Sequence, residues 1–398
     1  MNGYRVALLD WLACAARGAR ERAARAAREL GDRVAFAGTA GHVLDFDDTY
    51  LPGIAHLSAP TAPAALVVAA ELGRSAGDAL AAYEEGFEAM GALARAGHPA
   101  LYDRGWHPTA VCGGVGAAVA ATRLLDAPRE NAVALALLRS GGLRAAFGSD
   151  GKSLQVGLAA ASGVRAARLA AAGARAPLEA AARGWAEATG GTYAEPDGDR
   201  RAIDENWIKA WPCCLQTHGA IEAAEEVRSR TAAGGAAGRA PAHGMQSGAR
   251  PGGPRGRAPA HHTVTVHPVS LQAASVGPEP SDGLQAKFSI PYLTAYTLLH
   301  GPPVVESFDG VDAAAVERAR SVEVRTDRSL LESEFVLTEG DRELSRVSAA
   351  LGSPSKPMDA GTLRAKVERL AGAELAGALD DLGRPAADLL ALAGLGDG

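Results

Sequence analysis

Lys209-Ala210-Trp211-Pro212-Cys213-Cys214-Leu215-Gln216-Thr217-His218 divides the chain into two textures. Upstream, apolar residues recur at helical spacing and are mostly alanine and leucine. Downstream, short alternating runs appear: Thr263-Val264-Thr265-Val266, Val322-Glu323-Val324 and Phe335-Val336-Leu337. These read as strands, mixed with a helix over 291–299. Helix returns over 363–379 and near 386–395. A helical ending after an α/β stretch implies that the last segment packs back on the first. The predicted fold class is therefore mainly α with an α+β lid. A large all-helical domain is formed by both chain ends (1–207 and 351–398), and a smaller α/β domain (208–350) is inserted between them. Residues 229–262 are Arg, Ala, Gly and Pro with few apolar anchors, and GRAPAH occurs there twice. Such a segment buries too little to order itself, so a disordered insertion is predicted over 229–262.

Working back from the junction, helices are predicted over 11–30, 61–72, 75–94, 109–125, 131–143 and 154–172. Thr61 reads as an N-cap with Pro63 in the first turn, and Ser75 with Asp78 as a capping box. Gly113, Gly114 and Gly116 each cost about 1 kcal/mol inside a helix, which close helix contact or a ligand must offset.

The composition agrees with this outline. Hydrophobic residues make up 47% of the 398 but aromatics only 5%. Alanine and leucine must fill the core, which favours closely packed helices over a β-sandwich. A net charge of -6 argues against a nucleic-acid partner. The apolar stretch 109–122 is too short to span a bilayer, so no membrane role is expected. Cys14, Cys112, Cys213 and Cys214 form no disulfide framework and no CxxC, and no signal peptide is read at the start; a cytoplasmic location is expected. Lysine occurs only at Lys152, Lys209, Lys287, Lys356 and Lys366 in an otherwise arginine-rich chain.

Four segments carry chemistry. Gly38-Thr39-Ala40-Gly41-His42-Val43-Leu44-Asp45-Phe46-Asp47-Asp48-Thr49 sets three carboxylates beside a histidine, and His56 follows. That density suits acid/base work. Asp with His also suits a divalent ion, but HxxxH and HxxE are absent and no metal is expected. Gly105-Trp106-His107-Pro108-Thr109 puts His107 just before a helix, where the dipole lowers its pKa and lets it act neutral. In Phe147-Gly148-Ser149-Asp150-Gly151-Lys152, Lys152 follows a glycine-bracketed turn, placed to hold a carboxylate or steady negative charge. Lys209–His218 falls at the domain junction, a favoured place for a cleft. GxGxxG, a P-loop, GxSxG and HExxH are all absent, which speaks against nucleotide, hydride-transfer and serine-hydrolase chemistry.

Taken in order, GTAGHVLDFDDT (38–49), YDRGWHPT (102–109), FGSDGKSLQVGLAA (147–160), KAWPCCLQTH (209–218), KFSIPY (287–292) and LGSPSKPMDAGTLRAKV (351–367) resemble the MmgE/PrpD family. Its members include 2-methylcitrate dehydratase, cis-aconitate decarboxylase and iminodisuccinate epimerase. The resemblance implies a homodimer that needs no metal or organic cofactor and acts on a small carboxylate. It implies catalytic roles for Asp45, His56, His107, Lys152 and Tyr292, and substrate contacts from Thr49, Lys209, Cys214 and His218. All five lysines fall inside these segments. The chain departs from the family pattern in the spacing from Thr49 to His56, at Cys213-Cys214, and at Gln155, where the family usually has a histidine after the lysine.

The implied reaction is a cofactor-independent dehydration of a di- or tricarboxylate such as 2-methylcitrate. An α-proton beside a carboxylate is very weakly acidic, so its removal needs a placed base and cations around the developing charge. His107 or Asp45 would move the proton, Lys152 and Lys209 would bind carboxylates, His56 would protonate the departing hydroxyl, and Tyr292 from the lid would donate a proton. Epimerisation of an imino- or amino-dicarboxylate, decarboxylation of a cis-aconitate-like acid, and ligand binding without catalysis are the alternatives.

Overall fold

A computed structural model describes residues 2–237 and 261–396. The chain is mainly helical and forms two compact units, residues 1–210 with 352–398, and 211–351.

In the first unit the helices are Gly3–Gly18, Arg22–Arg28, Arg33–His42, Ser58–Glu71, Ala76–Gly97, Pro108–Leu125, Arg129–Leu137, Gly151–Ala171 and Leu178–Thr189, with Ala360–Ala371 and Ala386–Leu392 near the C-terminus. Small residues let these helices touch at the backbone. A Cβ on Gly157 would lie 2.3 Å from both the Ala35 carbonyl oxygen and Thr39 Oγ1, and one on Gly163 would lie 2.2 Å from the Gly114 carbonyl oxygen. The Gly151–Ala171 helix therefore lies against Arg33–His42 on one side and Pro108–Leu125 on the other. Gly113 and Gly116 are needed on other sides of Pro108–Leu125, where a Cβ would lie 2.9 Å from Pro60 and 2.7 Å from Met90, respectively. Gly157→Ala is expected to cost about 1–3 kcal/mol, because neither neighbour is a flexible side-chain end and overpacking must move backbone. Urea unfolding checks this; an unchanged midpoint would show that the helices can part freely.

Local rules fix several boundaries. Asp32 caps Arg33–His42 by accepting from the Val34 and Ala35 amides. Ser75 and Asp78 form the predicted capping box. Other predicted boundaries need correction. The 11–30 helix is two helices broken near residues 19–21. The 61–72 helix starts earlier, at Ser58, with Pro63 inside it; Thr61 is no N-cap, and its hydroxyl donates back to the Leu57 carbonyl. The 131–143 helix ends at Leu137, which frees Leu143 to bridge to Trp106. Pro108–Leu125 has the length and hydropathy to cross a membrane, but 78% of it is buried within the protein, as expected of a core helix.

The first unit is not purely helical. Strands β1 (Thr49–Tyr50) and β2 (Asn206–Trp207) pair antiparallel, Thr49 opposite Trp207. The C-terminal segment joins this unit through backbone bonds from Ala76 N to Arg384 O and from Ala386 N to Arg74 O.

The second unit is a four-stranded sheet with helices. Strands β3 (His262–Val266), β4 (Val322–Thr326), β5 (Phe335–Glu339) and β6 (Arg342–Val347) lie in the order β4-β3-β5-β6. β3 and β4 are parallel, and the other pairs are antiparallel. The His218–Ala237 helix packs on β5 and β6, and Ile290–His300 packs beside β4. The predicted disordered insertion 229–262 is corrected at both ends. Residues 229–237 continue the His218–Ala237 helix and His262 begins β3. Most of the predicted insertion lies outside the described residues.

Candidate active site

The acidic motif leaves the C-terminal end of the Arg33–His42 helix as a buried loop. Asp45 adopts a left-handed backbone at φ 53°, which an aspartate tolerates better than most residues. That turn points its carboxylate inward. Asp45 Oδ1 accepts from Lys209 Nζ at 2.6 Å and lies 3.2 Å from Lys152 Nζ. Lys209 Nζ also donates to the Asp45 carbonyl at 2.9 Å. The β1–β2 pairing explains this reach, because it lays the segment before Lys209 alongside the end of the acidic motif. Burial pushes the Asp45 carboxyl up, but the two ammonium groups outweigh it and hold the group well below the usual range. Asp45 is a buried carboxylate clamped between two cations.

A second cluster sits beside it. Asp47 accepts from His42 Nδ1 at 2.9 Å and lies 3.1 Å from His56 Nδ1. The two imidazole rings meet edge to face at 4.4 Å. Burial raises Asp47, and the two imidazoles pull it below its usual range. Burial lowers His56 to about 3, with Lys209, His42 and Lys152 adding to the fall and Asp47 opposing it. His42 is also lowered, by burial first and then by Lys152. Both rings are therefore neutral near pH 7. Asp47 accepts the hydrogen bond from His42 Nδ1, which leaves the lone pair of that ring on Nε2, whereas His56 Nδ1 lies near the same carboxylate without hydrogen-bond geometry. His56 Nε2 faces Asp45 Oδ1 at 3.6 Å.

His107 is the N-cap residue of Pro108–Leu125, as its place in GWHPT predicts. Its ring stacks 6.0 Å from His42 and meets Phe147 edge-on at 4.9 Å. Burial lowers it well below the ordinary histidine value, helped by Lys152, His42 and His56. Thr109, two residues on, accepts the His56 amide at 3.1 Å. Thr49 is buried, and its hydroxyl has no hydrogen-bond partner among the described residues.

Of the predicted site residues, the structure gathers Asp45, His56, His107, Lys152 and Lys209 into one cluster, with Thr49 on the adjoining strand. Tyr292, Cys214 and His218 belong to the second unit. There the Tyr292 hydroxyl accepts the Asp312 amide at 3.0 Å, Cys214 Sγ donates to Gln216 at 3.2 Å, and the His218 ring packs 5.0 Å from Trp211. Two participants were missed. Sequence reasoning assigns neither His42 nor Asp47 a catalytic role, yet both stand against His56. The available signal was His42 ending a helix within five residues of Asp47.

His42, Asp47 and His56 also place potential metal ligands within 4.8 Å of one another. The fit is poor. The Asp47 carboxylate already accepts from His42 Nδ1, a hydrogen bond that an ion would have to displace, and Lys152 stands close enough to depress His42. A separate cavity of about 540 Å³ in this unit is lined by residues such as Val6, Leu9, Ile203, Ile208 and Met358. It contains none of the candidate residues, so the chemistry lies elsewhere.

Residues 34–194 match the MmgE/PrpD N-terminal domain, and residues 261–380 match the MmgE/PrpD C-terminal domain. The chain belongs to the MmgE/PrpD family. It is also similar to human (Homo sapiens) cis-aconitate decarboxylase, 34% identical over 141 residues, or 33% of this chain and 29% of that protein. The match thus spans less than a third of that relative. The N-terminal domain match contains all of the cluster except Lys209.

Proposed function

We propose that this MmgE/PrpD member is a cofactor-independent lyase that removes a proton, or an equivalent group, next to a carboxylate of a small di- or tricarboxylate. The leading reading is dehydration of a 2-methylcitrate-like acid in the cytoplasm by a homodimer. The observation that supports it most is the double clamp of Lys152 and Lys209 on one carboxylate, beside three neutral histidines. Such a clamp suits a substrate carboxylate that becomes a dianion as its α-proton leaves.

His56 is the base in this reading, with Asp47 beside its Nδ1 and Asp45 beside its Nε2, and the proton it takes is passed to the departing hydroxyl, which leaves as water. The low pKa of His56 makes it a weak base in the unliganded protein, and burial with nearby cations is the cause. A bound polycarboxylate adds negative charge beside Lys152 and Lys209, which Asp45 alone now balances, and so moves His56 upward toward working pH. Substrate binding thereby switches on its own base. The roles of Thr49, Tyr292, Cys214 and His218 rest on the family resemblance.

Decarboxylation is the second reading, supported by the name of the human relative. It reaches the same carbanion by loss of carbon dioxide. Proton NMR of candidate di- and tricarboxylates in deuterated water separates the outcomes. Dehydration yields a new alkene with water lost, decarboxylation releases carbon dioxide, and epimerisation brings deuterium into the substrate without other mass change. If the protein binds these acids and neither exchanges nor converts any of them, the proposal fails.

A further inference from the structure

Gln155, where the chain departs from the family's histidine, is pinned at both ends of its amide. Its Oε1 accepts the Leu143 amide at 3.0 Å and its Nε2 donates to the Leu143 carbonyl at 3.1 Å. Its remaining N–H points at His107 Nδ1, 2.6 Å away. Amide orientation is normally ambiguous, but here the Leu143 backbone removes the ambiguity. Turning the amide over would set NH2 against N–H and oxygen against oxygen. Leu143 is fixed in its turn. It bridges to Trp106, and the flanking bonds run from His107 N to Gly142 O and from Arg144 N to Gly105 O.

The atom facing His107 is therefore a donor, and Nδ1 must accept. A neutral imidazole has one proton, which then resides on Nε2. Asp47 does the opposite to His42 by accepting the hydrogen bond from its Nδ1. Gln155 and Asp47 thus fix opposite tautomers on two adjacent histidines, His107 and His42.

We propose that Gln155 is a positioning residue that fixes His107 as a neutral Nε2–H donor and so excludes it as the base. Its use follows from the proposed carbanion chemistry: the Nε2–H stabilises negative charge developing on the substrate carboxylate, while His56 takes the proton. The groups facing His107 agree. Lys152, His42 and His56 disfavour a second proton on it, and only Asp45 opposes them. A neutral donor gives up no proton of its own to the oxyanion, so charge separation stays low.

The tautomer is measurable without substrate. In protein labelled with 15N-histidine, the His107 signal, assigned by its loss in His107→Asn, should report a protonated Nε2 and a bare Nδ1 near neutral pH. In Gln155→Glu the carboxylate can only accept, so the proton should move to Nδ1. An Nδ1–H tautomer in the parent protein overturns the proposal whatever reaction the protein performs. On the substrate found by the deuterium screen, Gln155→Glu should lose about 10–100-fold in kcat with KM little changed, the range for removing a group that orients a reacting one. Gln155→His, whose ring can still donate, should keep most of the rate. Equal rates for Gln155→Glu and the parent would show that the tautomer, though real, is not used. Inertness toward every carboxylate, with the predicted tautomer in place, would instead fail the functional reading and leave the tautomer assignment standing.

Discussion

Lys209→Met should lower kcat/KM by about 10²–10³ and cost about 3–5 kcal/mol of folding stability. Both effects follow from one geometry. Lys209 is fully buried, and its ammonium donates to Asp45 Oδ1 at 2.6 Å and to the Asp45 carbonyl at 2.9 Å. Methionine fills similar volume without charge, so packing is largely kept. The change leaves Asp45 with Lys152 as its one close cation, at 3.2 Å, and leaves the left-handed turn at Asp45 without its tie. Removing one partner of a buried pair is costly because the other charge stays in a medium that cannot solvate it. Urea unfolding measures the stability loss, and turnover on the substrate from the deuterium screen measures the rate. A variant that folds as well as the parent and turns over at the parent rate would remove Lys209 from the site. A stable but slow variant would separate the catalytic role from the structural one.

Asp48→Asn should act in the opposite sense and make the protein more stable as pH rises. Asp48 is fully buried beside ionised Asp47, and among the described residues its one hydrogen bond is from the Ser58 amide at 3.3 Å. Burial first and Asp47 second raise it from 3.8 to about 8. The folded state therefore holds a proton that the unfolded chain releases above about pH 3.8. The stability linked to that proton is complete below 3.8 and is lost as pH climbs through 8. Asparagine copies the protonated shape and cannot ionise, so it escapes the loss. Relative to the parent, the variant should gain about 1.4 kcal/mol per pH unit inside that window. The depressed histidines work the other way, weakening the fold as pH falls below their ordinary value, but they are common to both proteins and cancel in the difference. Unfolding midpoints of the pair at several pH values test this. A difference that stays flat between pH 5 and 8 would mean that Asp48 is ionised in the folded state.

Much of the fold was legible because alanine-rich helices carry a clear period and because the texture changes at Trp211. Boundaries were less so. Around Gly18–Arg22 the alanines on either side are interleaved with arginine and glutamate at helical spacing, so a break there leaves no mark in the period. β6 went unseen because Arg342–Val347 is largely exposed, so its alternation is not one of apolar and polar residues. β1 and β2 are two residues each and are held by pairing across 150-odd positions of sequence, which no local pattern encodes. At the site, Asp45, Lys152 and Lys209 were visible as charges with no surface reason to be there. The division of labour among the histidines was not. It depends on which ring nitrogen meets Asp47 and which meets Gln155, a matter of ångströms between distant segments.

Lys366 shows what it means for one folding unit to be drawn from both ends of a chain. Its ammonium lies 2.5 Å from the buried Asp10 carboxylate, donates at 2.9 Å to the carbonyls of Phe46 and Lys209, and sits 3.8 Å above the Phe46 ring. Burial holds Asp10 up at about 6, with Lys366 the main group opposing that rise. On the ribosome, the acidic loop is made roughly 300 residues before this lysine. At about 5–20 residues per second, the nascent helical layer waits roughly 15–60 s for its counter-ion. Until Lys366 has been made, Asp10 and the Phe46 carbonyl lack this shared partner, so the acidic loop gains its last tie only after the whole second unit has been synthesised.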